Sequence, residues 1–84
     1  MAYYRRIRKL REGHDKTQRD IAFILDMPQS PYWRYEQGFR DIPSDILIRL
    51  AEYYDVSTDY ILGRTDTPAP YKQSELYTEN TRLD

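Results

Sequence analysis

Apolar residues recur along this chain at helical spacing, in short runs broken by Gly, Pro, Asp and Ser. Tyr3, Ile7 and Leu10 fall at i, i+4 and i+7 with Arg5, Arg8 and Lys9 between them, which predicts an amphipathic helix over 3–12. Gly13 is a natural stop. Thr17 opens a second helix as its N-cap, and Asp20 supplies an acidic version of the capping box. Ile21, Ala22 and Leu25 share the inner face of this helix, and Phe23 points almost the opposite way. Asp26 ends it, since Asp tolerates the left-handed conformation better than most residues.

The stretch MPQSPYWRYEQG at 27–38 is unlike a core helix. Only Tyr32 and Tyr35 are buriable at helical spacing. Pro28 and Pro31 fit only outside a helix or in its first turn, where no backbone bond is lost. Two starts are therefore open. Either Pro28 leads in and Gln29 and Ser30 form the first turn, or Ser30 is the cap and Pro31 the first helical residue. Both end at a left-handed Gly38. After the loop FRDIP, Ser44 caps a fourth helix that turns Ile46, Leu47, Leu50, Ala51 and Tyr54 inward. Ser57 caps a last short helix, TDYIL, closed by Gly63, with Val56, Tyr60 and Leu62 in the core. The expected class is all-α with five helices.

At 84 residues the chain is one small domain; domains of this size bury about 60–65% of their unfolded surface. It has no Cys, so disulfides add nothing. No segment approaches the ~20 apolar residues of a membrane span, and MAYYRRIRKL lacks a signal-peptide core. A cytoplasmic protein is expected. Residues 67–84 read as a linker and tail after a domain over 1–66: TDTPAP is linker-like, and Tyr71, Leu76, Tyr77 and Leu83 are scattered apolar anchors. The tail is either disordered or a dimer-stabilising segment. Net charge is −1, but it is divided. Residues 1–40 hold nine Lys/Arg and five acids (+4); residues 41–84 hold four and nine (−5). That division permits a local anion-binding face. The single His14 sits in a loop, and neither a glycine-rich phosphate loop nor a cluster at metal-ligand spacing is present. An enzyme, a metal, a cofactor or a small-molecule ligand is therefore not expected.

Two short helices over about 17–25 and 29–37, joined by a tight turn, have helix-turn-helix geometry. The run from Thr17 to Pro43 resembles the Cro- and lambda-repressor-type (XRE) helix-turn-helix family, whose usual form is TQxxLAxxLGVSQxxISxYExGxRxP. Thr17, Gln18, Ile21, Ala22, Leu25, Gln29, Arg34, Tyr35, Glu36, Gly38, Arg40 and Pro43 stand in that register. LIRLAEYYDVSTDYILGRTD continues the resemblance, which covers roughly residues 5–66. It implies a five-helix lambda-repressor-like DNA-binding domain with a short C-terminal tail. It also implies an operator-binding regulator, a repressor of phage or bacterial type, acting on double-stranded DNA as a homodimer.

A recognition helix must be polar outward, because base edges in the major groove are read by hydrogen bonds. Gln29, Ser30, Trp33 and Arg34 are the expected base contacts. Gln18, Arg19 and Arg40 are the expected phosphate contacts, which position the domain without specifying sequence. By resemblance, Arg11 and Glu36 form a structural ion pair between the first helix and the end of the recognition helix. The departures are Asp26 for the turn Gly, Pro28 for the Ser cap, Pro31 for a small residue, and Tyr32 and Trp33 for Ile and Ser. Tyr32 brings a hydroxyl that needs a partner or water. Phe23, Ile48 and Tyr53 lie off the core faces. They suit a dimer or partner patch, and with the low net charge they support the alternative reading, an antitoxin-like or adaptor interaction module.

Overall fold

The computed structural model describes residues 4–71, so Tyr3, Leu76, Tyr77 and Leu83 lie outside the described residues. The chain forms α1 (Arg5–Gly13), α2 (Gln18–Ile24), α3 (Gln29–Gln37), α4 (Ser44–Tyr54) and α5 (Thr58–Leu62), with no strand among the described residues. None of these helices is long and apolar enough to cross a membrane.

All five helices end on the same device. A residue past the helix turns left-handed, and the next amide reaches back to a carbonyl five residues earlier, the six-to-one bond of a Schellman ending. The bonds run Lys16 to Arg11 (3.1 Å), Met27 to Ala22 (3.0 Å), Phe39 to Arg34 (3.0 Å), Val56 to Ala51 (3.0 Å) and Arg64 to Asp59 (2.8 Å). The left-handed residues are Asp15, Asp26, Gly38, Asp55 and Gly63. Asp26 and Gly38 turn the chain where the sequence places the ends of α2 and α3. Gly13 does not: it stays helical, and α1 stops through Asp15 instead.

The starts are less uniform. Thr17 and Asp20 form the full capping box, with the Asp20 amide donating to Thr17 Oγ1 (3.0 Å) and the Thr17 amide to Asp20 Oδ2 (2.9 Å). Ser57 accepts from the Tyr60 amide (3.0 Å). Ser44, expected as a cap, is instead the first residue of α4 behind Pro43, and no side chain caps that helix. Pro43 already fixes the extended entry there, so the helix begins one residue early. α3 begins at Gln29 behind Pro28, which resolves the two possible starts. Pro31 is then the third helical residue, where its missing N–H costs no helical bond.

Ile7, Ile21, Leu25, Tyr32, Leu50 and Ile61 are the largest fully buried side chains, and Ala22, Tyr35, Ala51, Tyr54 and Val56 complete most of the core. Leu10, Ile46, Leu47 and Tyr60 pack against it half-buried. Tyr4 is buried as well, and its hydroxyl accepts from the Ile42 amide (3.1 Å), tying the start of α1 to the α3–α4 loop. One core expectation fails: Leu62 is exposed and Ile61 is buried in its place. Tyr60 and Leu62 lie about 200° apart on a helix, so both cannot face inward. Tyr60 is held by Arg6, whose guanidinium lies 4.2 Å over its ring, and Leu62 therefore turns out.

Arg6 also donates to the carbonyls of Tyr60 (2.7 Å) and Thr65, and to Asp66 Oδ1 (2.6 Å). Past residue 66 the chain runs back along α5: the Ser57 amide donates to the Pro68 carbonyl (3.0 Å) and the Tyr71 hydroxyl to Asp59 Oδ2 (3.1 Å).

The α5 register has a direct check in denaturant unfolding. Ile61→Ala is expected to cost about 2–5 kcal/mol, the range for emptying a buried aliphatic site. Leu62→Ala is expected to stay within about 0.5 kcal/mol, as surface substitutions do. Equal losses would contradict the register.

Candidate nucleic-acid interface

α2 and α3 pack against each other, and α1 touches α3 from behind. One face of α3 is consequently committed. Tyr32, Tyr35 and Glu36 are buried, and the two tyrosine rings meet edge to face with centroids 6.5 Å apart. Helical periodicity then turns Gln29, Ser30, Trp33 and Arg34 outward together, and all four are exposed.

Glu36 is the anchor of the inner face. Its carboxylate has no exposed surface, and it takes Arg11 in a two-pronged pair, Nε to Oε2 at 2.7 Å and Nη2 to Oε1 at 3.0 Å. Gln18 Nε2 donates to the same Oε1 at 3.1 Å. Arg11 Nη1 donates to the Lys16 carbonyl (2.9 Å), in the turn that leads into α2. Burial by itself would raise the Glu36 pKa. The hydrogen bond from Arg11 first, then the neighbouring Tyr32 hydroxyl, the Gln18 amide and the charge of Arg11, outweigh it and hold the carboxyl below its ordinary value. The same pairing raises Arg11, first through the hydrogen bond to Glu36.

Tyr32 packs its ring and hydroxyl into the same interior as Glu36. Its hydroxyl is fully buried and has no hydrogen-bond partner of good geometry among the described residues; the Tyr54 hydroxyl is in the same position. Burial first, and then the neighbouring Glu36 carboxylate, push the Tyr32 pKa far up, so the phenol stays protonated. Tyr54 is likewise raised, chiefly by burial.

The remaining candidates occupy different places. Arg19 lies exposed on α2, and Arg40 lies exposed beyond the end of α3. Neither these two nor Arg34 has a side-chain hydrogen bond or ion pair among the described residues. Gln18 is half-buried, with its amide nitrogen turned to Glu36. Phe23 is highly exposed and shares a shallow cleft with Lys16, Arg19, Asp20 and Ile24. Tyr53 belongs to a separate aromatic cluster with Tyr54 (5.0 Å) and His14 (6.4 Å), and Ile48 is half-buried on α4. Among the described residues, no group of His, Cys, Asp and Glu could hold a metal ion.

Two features escape a reading of motifs. The Gln18–Glu36 bond joins residues 18 apart, and only the folded geometry brings them together. Phe39 is the other: it is exposed, and its ring meets Trp33 at 5.6 Å and 65°. The signal for it was present, because a left-handed Gly38 puts Phe39 where a Schellman ending makes its apolar contact with the last full turn.

A helix-turn-helix family model matches residues 7–61. The chain is 44% identical over 68 residues to the uncharacterized HTH-type transcriptional regulator YobD of Bacillus subtilis, across 81% of this chain and 61% of that protein. It is 33% identical over 66 residues to the HTH-type transcriptional regulator ImmR of the same organism, across 79% and 52%. It is 29% identical over 70 residues to the antitoxin PezA of Streptococcus pneumoniae, across 83% and 44%. The chain thus spans about half to three-fifths of the length of the two regulators.

Glu36 makes stability depend on pH. Because its folded pKa is lowered, its contribution is complete above the ordinary carboxyl value of 4.5 and is lost as pH falls through the folded value. Resistance to urea is expected to fall on acidification in the native chain, and less steeply in Glu36→Gln. Arg11→Met, which strands the buried carboxylate, is expected to cost about 3–5 kcal/mol near neutral pH. Identical acid profiles for the native chain and Glu36→Gln would contradict this assignment.

Proposed function

The chain belongs to the helix-turn-helix family, and from that we propose that it is a sequence-specific regulator of transcription that binds double-stranded DNA. The observation that carries the proposal is the division of α3. Tyr32, Tyr35 and Glu36 fix its inner face, and Gln29, Ser30, Trp33 and Arg34 stand exposed on the outer one. An α-helix of this kind fits the major groove of B-DNA. Gln29 is suited to an adenine edge and Arg34 to a guanine edge, each worth roughly 1–3 kcal/mol of discrimination. Arg19 and Arg40, exposed and making no side-chain hydrogen bond or ion pair among the described residues, are suited to phosphates. Gln18 joins them through its remaining amide proton and its carbonyl oxygen.

We further propose that the protein acts in the cytoplasm as a homodimer and represses. Two copies would address half-sites about one helical turn (~34 Å) apart. The names of two relatives, HTH-type transcriptional regulators, agree with a regulatory role. The exposed Phe23 and the similarity to an antitoxin favour a second reading, an interaction module that kept the fold.

Titration of labelled duplex DNA at rising salt separates the two. A regulator is expected to bind at low ionic strength and to weaken steeply as salt rises. Gln29→Ala is expected to lose about 1–3 kcal/mol on the preferred duplex and little on random DNA. Arg40→Ala is expected to weaken all duplexes alike and to lower the salt slope by about one. Absent or salt-insensitive binding would favour the interaction module.

A further inference from the structure

The Schellman endings of α2, α3 and α4 each bring an apolar residue back toward the last full turn of its helix. At α2 that residue is Met27 and at α4 it is Val56, and both pack into or against the core. At α3 it is Phe39, which is 61% exposed, and the ring it meets, Trp33, is 41% exposed. The same local device is therefore turned inward twice and outward once. Arg34 and Arg40 adjoin Trp33 and Phe39 in sequence, and neither has a side-chain partner among the described residues.

We infer that Trp33 and Phe39 form one aromatic platform that reads a thymine methyl group in the major groove, with Arg34 and Arg40 holding the DNA on either side. The inference rests on the proposal that α3 reads duplex DNA. Trp33 alone on a helix would sample several rotamers and lose that freedom on binding. Its edge-to-face contact with Phe39 holds the indole in place beforehand. The thymine C5-methyl is the one apolar group that base edges present in the major groove. The charge around the pair favours a polyanion over an apolar protein surface. Phe39 is thus a positioning and contact residue that the helix-turn-helix register does not assign.

Trp33 is the only tryptophan in the chain, so its emission reports on this site alone. The probe is a duplex recovered from a random pool with the 84-residue chain, together with copies in which each thymine is replaced in turn by deoxyuridine. Binding is expected to change Trp33 emission. Loss of one particular thymine methyl is expected to weaken binding roughly fourfold, the value of one buried carbon group. In Phe39→Ala, with helicity checked by circular dichroism, overall affinity is expected to fall and that thymine preference to disappear. Three results would overturn the inference: DNA binding with unchanged emission, a thymine preference that survives Phe39→Ala, or an emission change that follows protein concentration without DNA. In each, the reading of DNA by α3 can still stand. If no duplex binds at low salt, both proposals fail together.

Discussion

A carboxylate with no exposed surface holds three helices in place. Glu36, on α3, receives Arg11 from α1 and Gln18 from α2, and Arg11 also bonds the turn between those two helices. Burying a charge costs several kcal/mol and is repaid only when its oxygens are well satisfied. Here the two-pronged arginine and the glutamine amide supply that, and the pair is correspondingly sensitive to loss of either side. The geometric consequence matters more than the net stability. With Glu36 pinned, α3 cannot rotate about its axis without breaking the pair. Its outward face is therefore determined by its inward one.

The rest of the fold supports that fixed pose with short connections. Each helix is closed by a left-handed residue and a six-to-one bond, so the chain reverses within a few residues. Asp takes the left-handed position at Asp15, Asp26 and Asp55, and Gly takes it at Gly38 and Gly63. Pro28 and Pro43 set extended entries to α3 and α4 without contributing a capping side chain. Arg6 and Tyr4 then tie the start of the chain to two later segments that return to it, near residues 65–66 and at Ile42. A small domain without disulfides depends on such closures as well as on its modest core.

Much of this was legible in the residues. The five helices, the inner face of α2, the outer face of α3 and the turns at Asp26 and Gly38 all follow from periodicity and local backbone preference. What was not legible has specific causes. In the five residues of α5, periodicity allows Tyr60 or Leu62 inward but not both, and the hold of Arg6 on Tyr60 decides it. Gly13 and Ser44 were plausible stop and cap, but Asp15 and Pro43 already did that work within two residues. The Gln18 bond to Glu36 depends on how α2 packs against α3, and local spacing carries no record of it. Phe39 sits in a loop by pattern; the left-handed Gly38 marks it for an apolar contact with the last full turn, and the structure identifies Trp33 as the ring it meets.

α3 has one face locked to the core, and we propose that its open face meets DNA. Backbone amide NMR during titration with a bound duplex tests it most directly. Shifts are expected to concentrate at Gln29, Ser30, Trp33, Arg34 and Phe39, with weaker ones at Gln18, Arg19 and Arg40. Shifts confined instead to Phe23, Ile24 and Tyr53, with α3 unmoved, would contradict it.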